Sequence, residues 1–135
     1  MSGGWVKTVV MMTGLALAVT GCRAPMGVDP AEIQVVDGDT IRWQGQRIRL
    51  QGLDTPELFS PQCPAELAAA RAARDALRGR LAAAQRAELR IAPELDRYGR
   101  GLARLALDGE DVARAMIRVG HARPYDGGAR PGWCG

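Results

Sequence analysis

Alternating apolar and polar residues predict a β-hairpin near the middle of the chain. Residues 40–43 alternate in character and end at Gln44-Gly45, a polar-glycine pair that suits a two-residue turn. The alternation resumes over residues 46–53, and a shorter apolar-leaning run at 32–36 precedes the hairpin. We therefore expect three consecutive strands, of which the last two are antiparallel neighbours.

Two later segments have helical patterns. Residues 65–82 are rich in Ala, Leu, Arg and Glu, which are strong helix formers, and Pro64 suits a first helical turn. Residues 112–119 carry apolar side chains at i, i+3, i+4 and i+7. Between these helices, residues 87–91 and 101–107 have the composition and alternation of strands.

The order of these elements indicates the fold class. Three strands, a helix, two strands and a helix match an OB-type barrel, in which a helix lies between the third and fourth strands. The predicted fold is α+β and mainly β, a five-stranded OB-fold barrel with two helices over residues 32–135. Two prolines and four glycines from His121 onward predict an irregular tail.

The first residues have the composition of an export signal. One lysine precedes an almost wholly apolar or small run, residues 8–20, which is too short for an ordinary membrane-spanning helix. Residues 19–22, Val-Thr-Gly-Cys, resemble the lipobox of bacterial lipoproteins, in which the leader is removed before a lipid-carrying cysteine. We expect residues 1–21 to be a signal peptide, Cys22 to be lipidated, and residues 22–31 to be a tether. An ordinary secretory signal cut nearby or an uncleaved anchor are the alternatives.

The cysteine count agrees with export. The exported protein is expected to be a membrane-anchored lipoprotein of the cell envelope, with a secreted protein as the alternative. The chain has three cysteines, and setting Cys22 aside leaves Cys63 and Cys134. An even pair in an oxidising compartment predicts a disulfide. Two unpaired thiols are the alternative, and a metal site would need more ligands of the right type.

Four carboxylates are predicted to meet at one end of the hairpin. Folding the chain back at residues 44–45 places Asp37 and Asp39 near Asp54 and Glu57, because antiparallel partners run back along each other. Like charges this close raise one another's pKa unless a positive charge lies between them. Carboxylate and carbonyl oxygens are the ligands that Ca²⁺ prefers, so the arrangement predicts a Ca²⁺ site.

An ordered set of motifs resembles the staphylococcal nuclease (thermonuclease) family. It consists of Asp-Gly-Asp-Thr at 37–40, Ile-Arg-Leu at 48–50, Asp-Thr-Pro-Glu at 54–57 and Asp-Arg-Tyr-Gly-Arg-Gly-Leu-Ala at 96–103. Each motif alone is typical of a turn, strand or loop, whereas the ordered set is specific. The resemblance covers roughly residues 31–126 and implies an OB-type barrel. It also implies a Ca²⁺-dependent nuclease that cleaves DNA and RNA with little sequence specificity and leaves 3′-phosphate ends.

The same resemblance implies roles for individual acidic residues. Asp39 and Asp54, with the backbone carbonyl of Thr55, look like the direct Ca²⁺ ligands. Asp37 is expected to shape the turn or to lie behind the ligands. Glu57 matches the position that orients or deprotonates the attacking water, and the motif leaves both roles open.

Basic and aromatic residues complete the expected site. Arg49 and Arg100 match the two arginines that bind phosphate, and a guanidinium fork fits two phosphate oxygens and stays charged. Tyr98 and Tyr125 are expected to flank the site and to contact a phosphate or stack on a base. His121, the only histidine, is a conceivable general base, but its position after a helix end favours a surface location.

The predicted partners are a DNA or RNA substrate and, through Cys22, a membrane; the protein is expected to be a monomer. The net charge of +3 is compatible with a nucleic-acid partner. Two other functions remain open. One is a non-catalytic OB-fold module that binds nucleic acid or a protein, and the other is a structural lipoprotein of the envelope. The complete set of acids and arginines argues against the non-catalytic module.

Overall fold

The computed structural model describes residues 23–135; the predicted signal peptide and Cys22 lie outside this range. The strands are β1 (Met26–Val28), β2 (Gln34–Asp37), β3 (Thr40–Trp43), β4 (Gln46–Leu50), β5 (Gly52–Asp54), β6 (Ala87–Leu95), β7 (Gly101–Leu107), β8 (Glu110–Asp111) and β9 (Arg123–Tyr125). The helices are α1 (Pro64–Ala83) and α2 (Val112–Arg118), with a 3-10 turn at Pro30–Glu32. Within residues 23–135, neither helix has the length and apolar character needed to cross a bilayer.

Most of the strands form one curled sheet. Its order is β1-β6-β7-β4-β3-β2, with β8 beside β7, while β5 and β9 form a separate pair. β4 and β7 are parallel, and the other pairings are antiparallel. The curled sheet and its two helices confirm the predicted mainly β, OB-type fold.

The core lies on one face of the hairpin strands. Side chains alternate between the two faces of a strand, so Ile41 and Trp43 of β3 and Ile48 and Leu50 of β4 are buried together. Fully burying such an aliphatic side chain contributes roughly 1.5–3 kcal/mol. Helix α1 covers this core with Ala73, Leu77 and Leu81. The opposite face of the hairpin is therefore left to polar residues, among them Arg49.

Three segments differ from the sequence-based expectations. Residues 46–53 form two strands, because the chain bends at Gly52, whose φ of +90° favours glycine. Residues 26–28, expected to belong to a tether, form β1 and pair with β6. The tail was predicted to be irregular because proline is unfavourable in most strands, but it contains β9. Pro124 fits because β9 is an edge strand, where a missing N–H is tolerated.

A disulfide joins the start of α1 to the C-terminal tail. Cys63 and Cys134 are bonded, which confirms the predicted pair. They lie 71 residues apart in sequence, with Cα atoms 6.1 Å apart. In the chain-entropy account, closing so long a loop stabilises the fold by about 4 kcal/mol. The tail is thus covalently fixed beside the loop that follows β5.

Candidate active site

The turn between β2 and β3 packs tightly against α1. A Cβ atom on Gly38 would lie 2.9 Å from the Ala73 Cβ and from the Cγ2 and Oγ1 atoms of Thr55, so the close approach requires glycine. The backbone N–H of Asp39 donates to Asp37 Oδ1 at 3.1 Å. The Asp37 side chain therefore shapes this turn, which fixes the start of β3 against the end of β5.

Two carboxylates and a threonine are buried where β3 and β5 meet. Asp39, Asp54 and Thr55 are all buried. Asp39 Oδ1 accepts from Thr40 Oγ1 at 3.1 Å, and Asp39 Oδ2 accepts from the backbone N–H of Thr55 at 3.2 Å. The three residues predicted from the sequence as metal ligands therefore lie close together in the structure.

Arg49 lies between the two buried carboxylates. Its Nη1 is 3.2 Å from Asp39 Oδ2, and its Nη2 is 3.6 Å from Asp54 Oδ1. The same two nitrogens donate to the carbonyls of Leu50 at 3.0 Å and Leu53 at 3.1 Å. Such a buried, many-sided set of charge-assisted contacts fixes the orientation of the guanidinium.

Arg100 is held by the loop that precedes β7. Asp96 Oδ1 accepts from the backbone N–H groups of Tyr98 and Arg100, both at 2.9 Å, and Asp96 Oδ2 accepts from Arg100 Nε at 2.6 Å. Partial burial acts in the opposite direction, but these hydrogen bonds lower the pKa of Asp96. Because the ion pair uses Nε, it leaves the terminal nitrogens of Arg100 for a ligand.

The two arginines open onto one cavity of about 400 Å³. The parallel pairing of β4 with β7 places Gly101 opposite Ile48, which brings Arg100 beside the hairpin. Three acids and two further arginines also line the cavity, namely Asp37, Asp39, Glu57, Arg47 and Arg130. Positive groups for an anion and negative groups for a cation thus share one opening.

Glu57 lies at the cavity and is positioned from behind by Glu66, which the sequence analysis missed. Glu66 is buried, and its carboxylate accepts from the backbone N–H groups of Glu57 at 3.3 Å and Gln62 at 2.6 Å. Glu66 is the third residue of α1, the position that an acid occupies in a capping box, and this position could have identified it. Burial and the Asp39 carboxylate raise the pKa of Glu57 above its usual range, and Arg130 acts in the opposite direction.

The two tyrosines flank the arginines. The Arg100 guanidinium carbon lies 5.5 Å from the Tyr98 ring centroid, and that of Arg49 lies 5.6 Å from the Tyr125 ring centroid. Both distances are in the range of cation–π contacts. Tyr98 is exposed. His121 follows α2, is half-buried and does not line the cavity.

The site geometry agrees with a comparison against known families. The sequence model of the family described as Staphylococcal nuclease homologue matches residues 47–131. The chain belongs to this nuclease family. A comparison with curated proteins finds no match. The family match includes Arg49, Asp54, Glu57 and Arg100, while Asp39 precedes it and is brought to the site by the β2–β3 turn.

The nuclease family is metal-dependent, and the residues of this cavity fit a hard divalent cation. The carboxylates of Asp37, Asp39 and Glu57 line the cavity, and the buried Asp54 lies beside it in contact with Arg49 and Arg130, so carboxylate oxygens are concentrated at one place. The donors are oxygen atoms, which suit Ca²⁺ or Mg²⁺ better than Zn²⁺. Burial and Asp39 raise the pKa of Asp37 to about 7, as expected where carboxylates crowd together.

Arg130 also lines the cavity, although no motif in the sequence pointed to it. Its Nη1 donates to Asp54 Oδ1 at 3.1 Å and lies 3.6 Å from Glu57 Oε1. It comes from the C-terminal tail, and the one available signal was its closeness in sequence to Cys134. A disulfide-linked tail therefore reaches the same carboxylates as the hairpin.

Proposed function

We propose that this protein is a Ca²⁺-dependent endonuclease that hydrolyses phosphodiester bonds of DNA and RNA with little sequence specificity. One observation carries the proposal: Arg49 and Arg100, the acid Glu57 and the buried Asp39 open onto a single cavity. Membership of the nuclease family supports the reaction class. The choice of Ca²⁺ and the breadth of substrates are our inference from the oxygen donors and the resemblance.

The two arginines bind the scissile phosphate. A guanidinium donates to two phosphate oxygens at once and remains charged at any physiological pH. Arg100 is fixed by Asp96 through Nε, so its side chain does not need to reorganise when charge develops on the phosphate, and the carbonyls of Leu50 and Leu53 hold Arg49 beside it. Such preorganised donors are a major source of transition-state stabilisation.

The acidic residues hold the metal and the water. Asp39, Asp54 and the carbonyl of Thr55 would hold the Ca²⁺, which when bound supplies positive charge next to the phosphate. Glu57 orients the attacking water or accepts its proton. Its raised pKa makes it a stronger base than an ordinary glutamate. Glu66 holds the backbone of Glu57 and so keeps this carboxylate at the cavity.

The nature of the cavity supports broad substrate use. Its guanidinium groups bind phosphate, which is the same in every nucleotide, and the phenol ring of Tyr98 can stack on any base. The exposed ring of Tyr98 is available to an unpaired base. Single-stranded or frayed segments are therefore expected to reach the site more easily than intact duplex.

We also propose that the protein is exported and anchored through a lipidated Cys22, with plain secretion as the alternative. Cys22 lies outside the described residues, so the proposal depends on the lipobox-like sequence. The disulfide between Cys63 and Cys134 supports an oxidising compartment. The protein is expected to act as a monomer.

The decisive experiment incubates the purified protein with plasmid and single-stranded DNA, with Ca²⁺ or with a chelator. We expect cleavage with Ca²⁺, none with the chelator, and none from Asp39→Asn. Cleavage that persists in the chelator would contradict the metal dependence. Binding without cleavage under every condition would instead support a non-catalytic OB-fold module.

A further inference from the structure

We propose that Arg130 is a third phosphate-binding arginine of the cavity and that the Cys63–Cys134 disulfide holds it there. The inference rests on the nuclease function proposed above and extends it to the C-terminal tail. Arg130 would contact a phosphate of the substrate strand near the one bound by Arg49 and Arg100, so its role is to position the strand.

The first argument is accessibility. The side chains of Arg49, Arg100 and Arg130 are 9%, 26% and 41% exposed, respectively. Arg49 is already bonded to two carbonyls and two carboxylates, and Arg100 donates its Nε to Asp96. Of the three, Arg130 is the guanidinium most open to an approaching strand, and it lines the same cavity.

The second argument is that the tail is built to hold Arg130 in place. Arg123 of β9 donates from Nη1 to the carbonyls of Pro131 at 3.3 Å and Gly132 at 3.0 Å. Its guanidinium carbon also lies 3.6 Å from the centroid of the Trp133 ring. The disulfide at Cys134 follows directly. Every residue from Pro131 to Cys134 is thus attached to the fold, whereas the glycines before Arg130 provide no such restraint.

The third argument is that Arg130 keeps nitrogens for a ligand. Both of its ion pairs, with Asp54 and Glu57, use Nη1, and the pair with Glu57 joins two exposed side chains, which contributes little to folding. Nη2 and Nε take no part in these pairs, and a phosphate entering the cavity offers a guanidinium two charged oxygens in matching geometry. Arg130 can therefore bind an anionic ligand while it remains beside the buried Asp54.

The test measures binding separately from cleavage. A short fluorescein-labelled oligothymidylate is titrated in chelator and low salt, and fluorescence anisotropy gives the Kd. We expect Arg130→Gln to raise the Kd about five- to tenfold and to reduce the slope of log Kd against log salt by about 0.7, the value for one phosphate contact on a single strand. Arg130→Lys should recover part of the loss. With Ca²⁺, the KM for cleavage should rise by a similar factor while kcat changes less than about twofold.

Arg78→Gln is the matched control. Arg78 is also exposed and also paired with an acid, Asp75, at 3.5 Å, but it lies on α1 and does not line the cavity. It makes the same change in net charge. If Arg78→Gln and Arg130→Gln lose binding equally, the change in net charge alone explains the loss, and the proposal is overturned.

The role of the disulfide is tested by measuring whether its removal and Arg130→Gln have additive effects on binding. The Cys63→Ser/Cys134→Ser protein should lose about as much binding as Arg130→Gln, and adding Arg130→Gln should then cost little more, because contacts that act together are not additive. Thermal denaturation checks that the double variant is folded, and mild reduction of the unmodified protein provides a second route to the same state. Full additivity would overturn the role of the disulfide.

The remaining outcomes separate this proposal from the nuclease assignment. If Arg130→Gln leaves both Kd and KM unchanged, or tightens binding, Arg130 is no phosphate ligand even if Ca²⁺-dependent cleavage is normal. If the unmodified protein binds the oligonucleotide through Arg130 but never cleaves, the nuclease function fails and Arg130 stands as a binding residue.

Discussion

The carboxylate of Glu66 accepts the backbone N–H of Glu57 at 3.3 Å, so a buried residue of α1 determines where the acid at the cavity lies. The same carboxylate accepts the N–H of Gln62. A helix that covers the core therefore also positions a residue of the proposed reaction.

Replacing Glu66 should impair both stability and catalysis. Glu66→Ala leaves two backbone donors without their acceptor, which should cost about 1–3 kcal/mol of unfolding free energy. It should also lower kcat, since Glu57 is no longer held. Urea denaturation and steady-state cleavage measure the two effects. Glu88→Ala, on an exposed position of β6, serves as the control and should leave both unchanged; normal kcat in Glu66→Ala would show that Glu57 needs no such support.

Arg100→Lys should lower kcat/KM by about 10²- to 10³-fold, the usual loss for one preorganised transition-state donor. Lysine keeps the positive charge but has a single side-chain nitrogen. It therefore cannot replace both the Nε that binds Asp96 and the two terminal nitrogens that face the phosphate. Initial rates on a labelled oligonucleotide measure the change. The neighbouring exposed Arg97→Lys should stay within a few-fold of the unmodified protein, and a similar loss in both variants would contradict a special role for Arg100.

In the metal-free protein, the stabilising contribution of Asp37 should be lost as the pH rises from about 4 to about 7. Burial and Asp39 raise the pKa of Asp37 from 3.8 to about 7, so the folded state binds this proton more tightly than the unfolded state. That stabilising contribution is complete below the unfolded pKa and is lost as the pH passes the folded pKa. Asp37→Asn, which can still accept the N–H of Asp39, should therefore melt at a higher temperature than the unmodified protein at pH 8, and at a similar temperature at pH 4. Thermal denaturation in chelator tests this, and equal pH profiles would refute it.

Gly38→Ala should weaken both the fold and the metal site. The added Cβ would lie 2.9 Å from Ala73 and Thr55, and overpacking of this kind typically costs about 1–3 kcal/mol. Because Thr55 also binds Asp39, the shift should lower Ca²⁺ affinity measured by calorimetry. Gly79→Ala is the matched control, since nothing lies within 4 Å of its added Cβ; in a helix interior it should stabilise by up to about 1 kcal/mol.

Cys22→Ala should release the protein from membranes or block its processing if the cysteine carries lipid. Cell fractionation followed by immunoblotting measures the distribution, and mass analysis of the unmodified protein shows the lipid directly. Membrane retention that does not change in the variant would count against the lipobox interpretation.

Local signals explain which parts of this protein could be predicted. The hairpin and the meeting of Asp39 with Asp54 follow from alternation and one turn, both of which the sequence displays directly. Arg130 could not be predicted, because its partner Asp54 lies 76 residues away and the contact depends on the path of a tail. Strand β9 was missed because Pro124 is unfavourable in most strands and acceptable only at an edge, and edge position is a property of the whole fold.

The parallel pairing of β4 and β7 determines when the proposed nuclease activity can arise during folding. Ile48 and Gly101, which lie opposite each other, are distant in the chain, and contacts of that kind form late in folding. The hairpin can bring its acids and Arg49 together early, but Arg100 joins them only after β6 and β7 have been added. Recovery of cleavage during refolding should therefore track completion of the whole barrel, and a chain stalled at the hairpin stage would be inert toward nucleic acid.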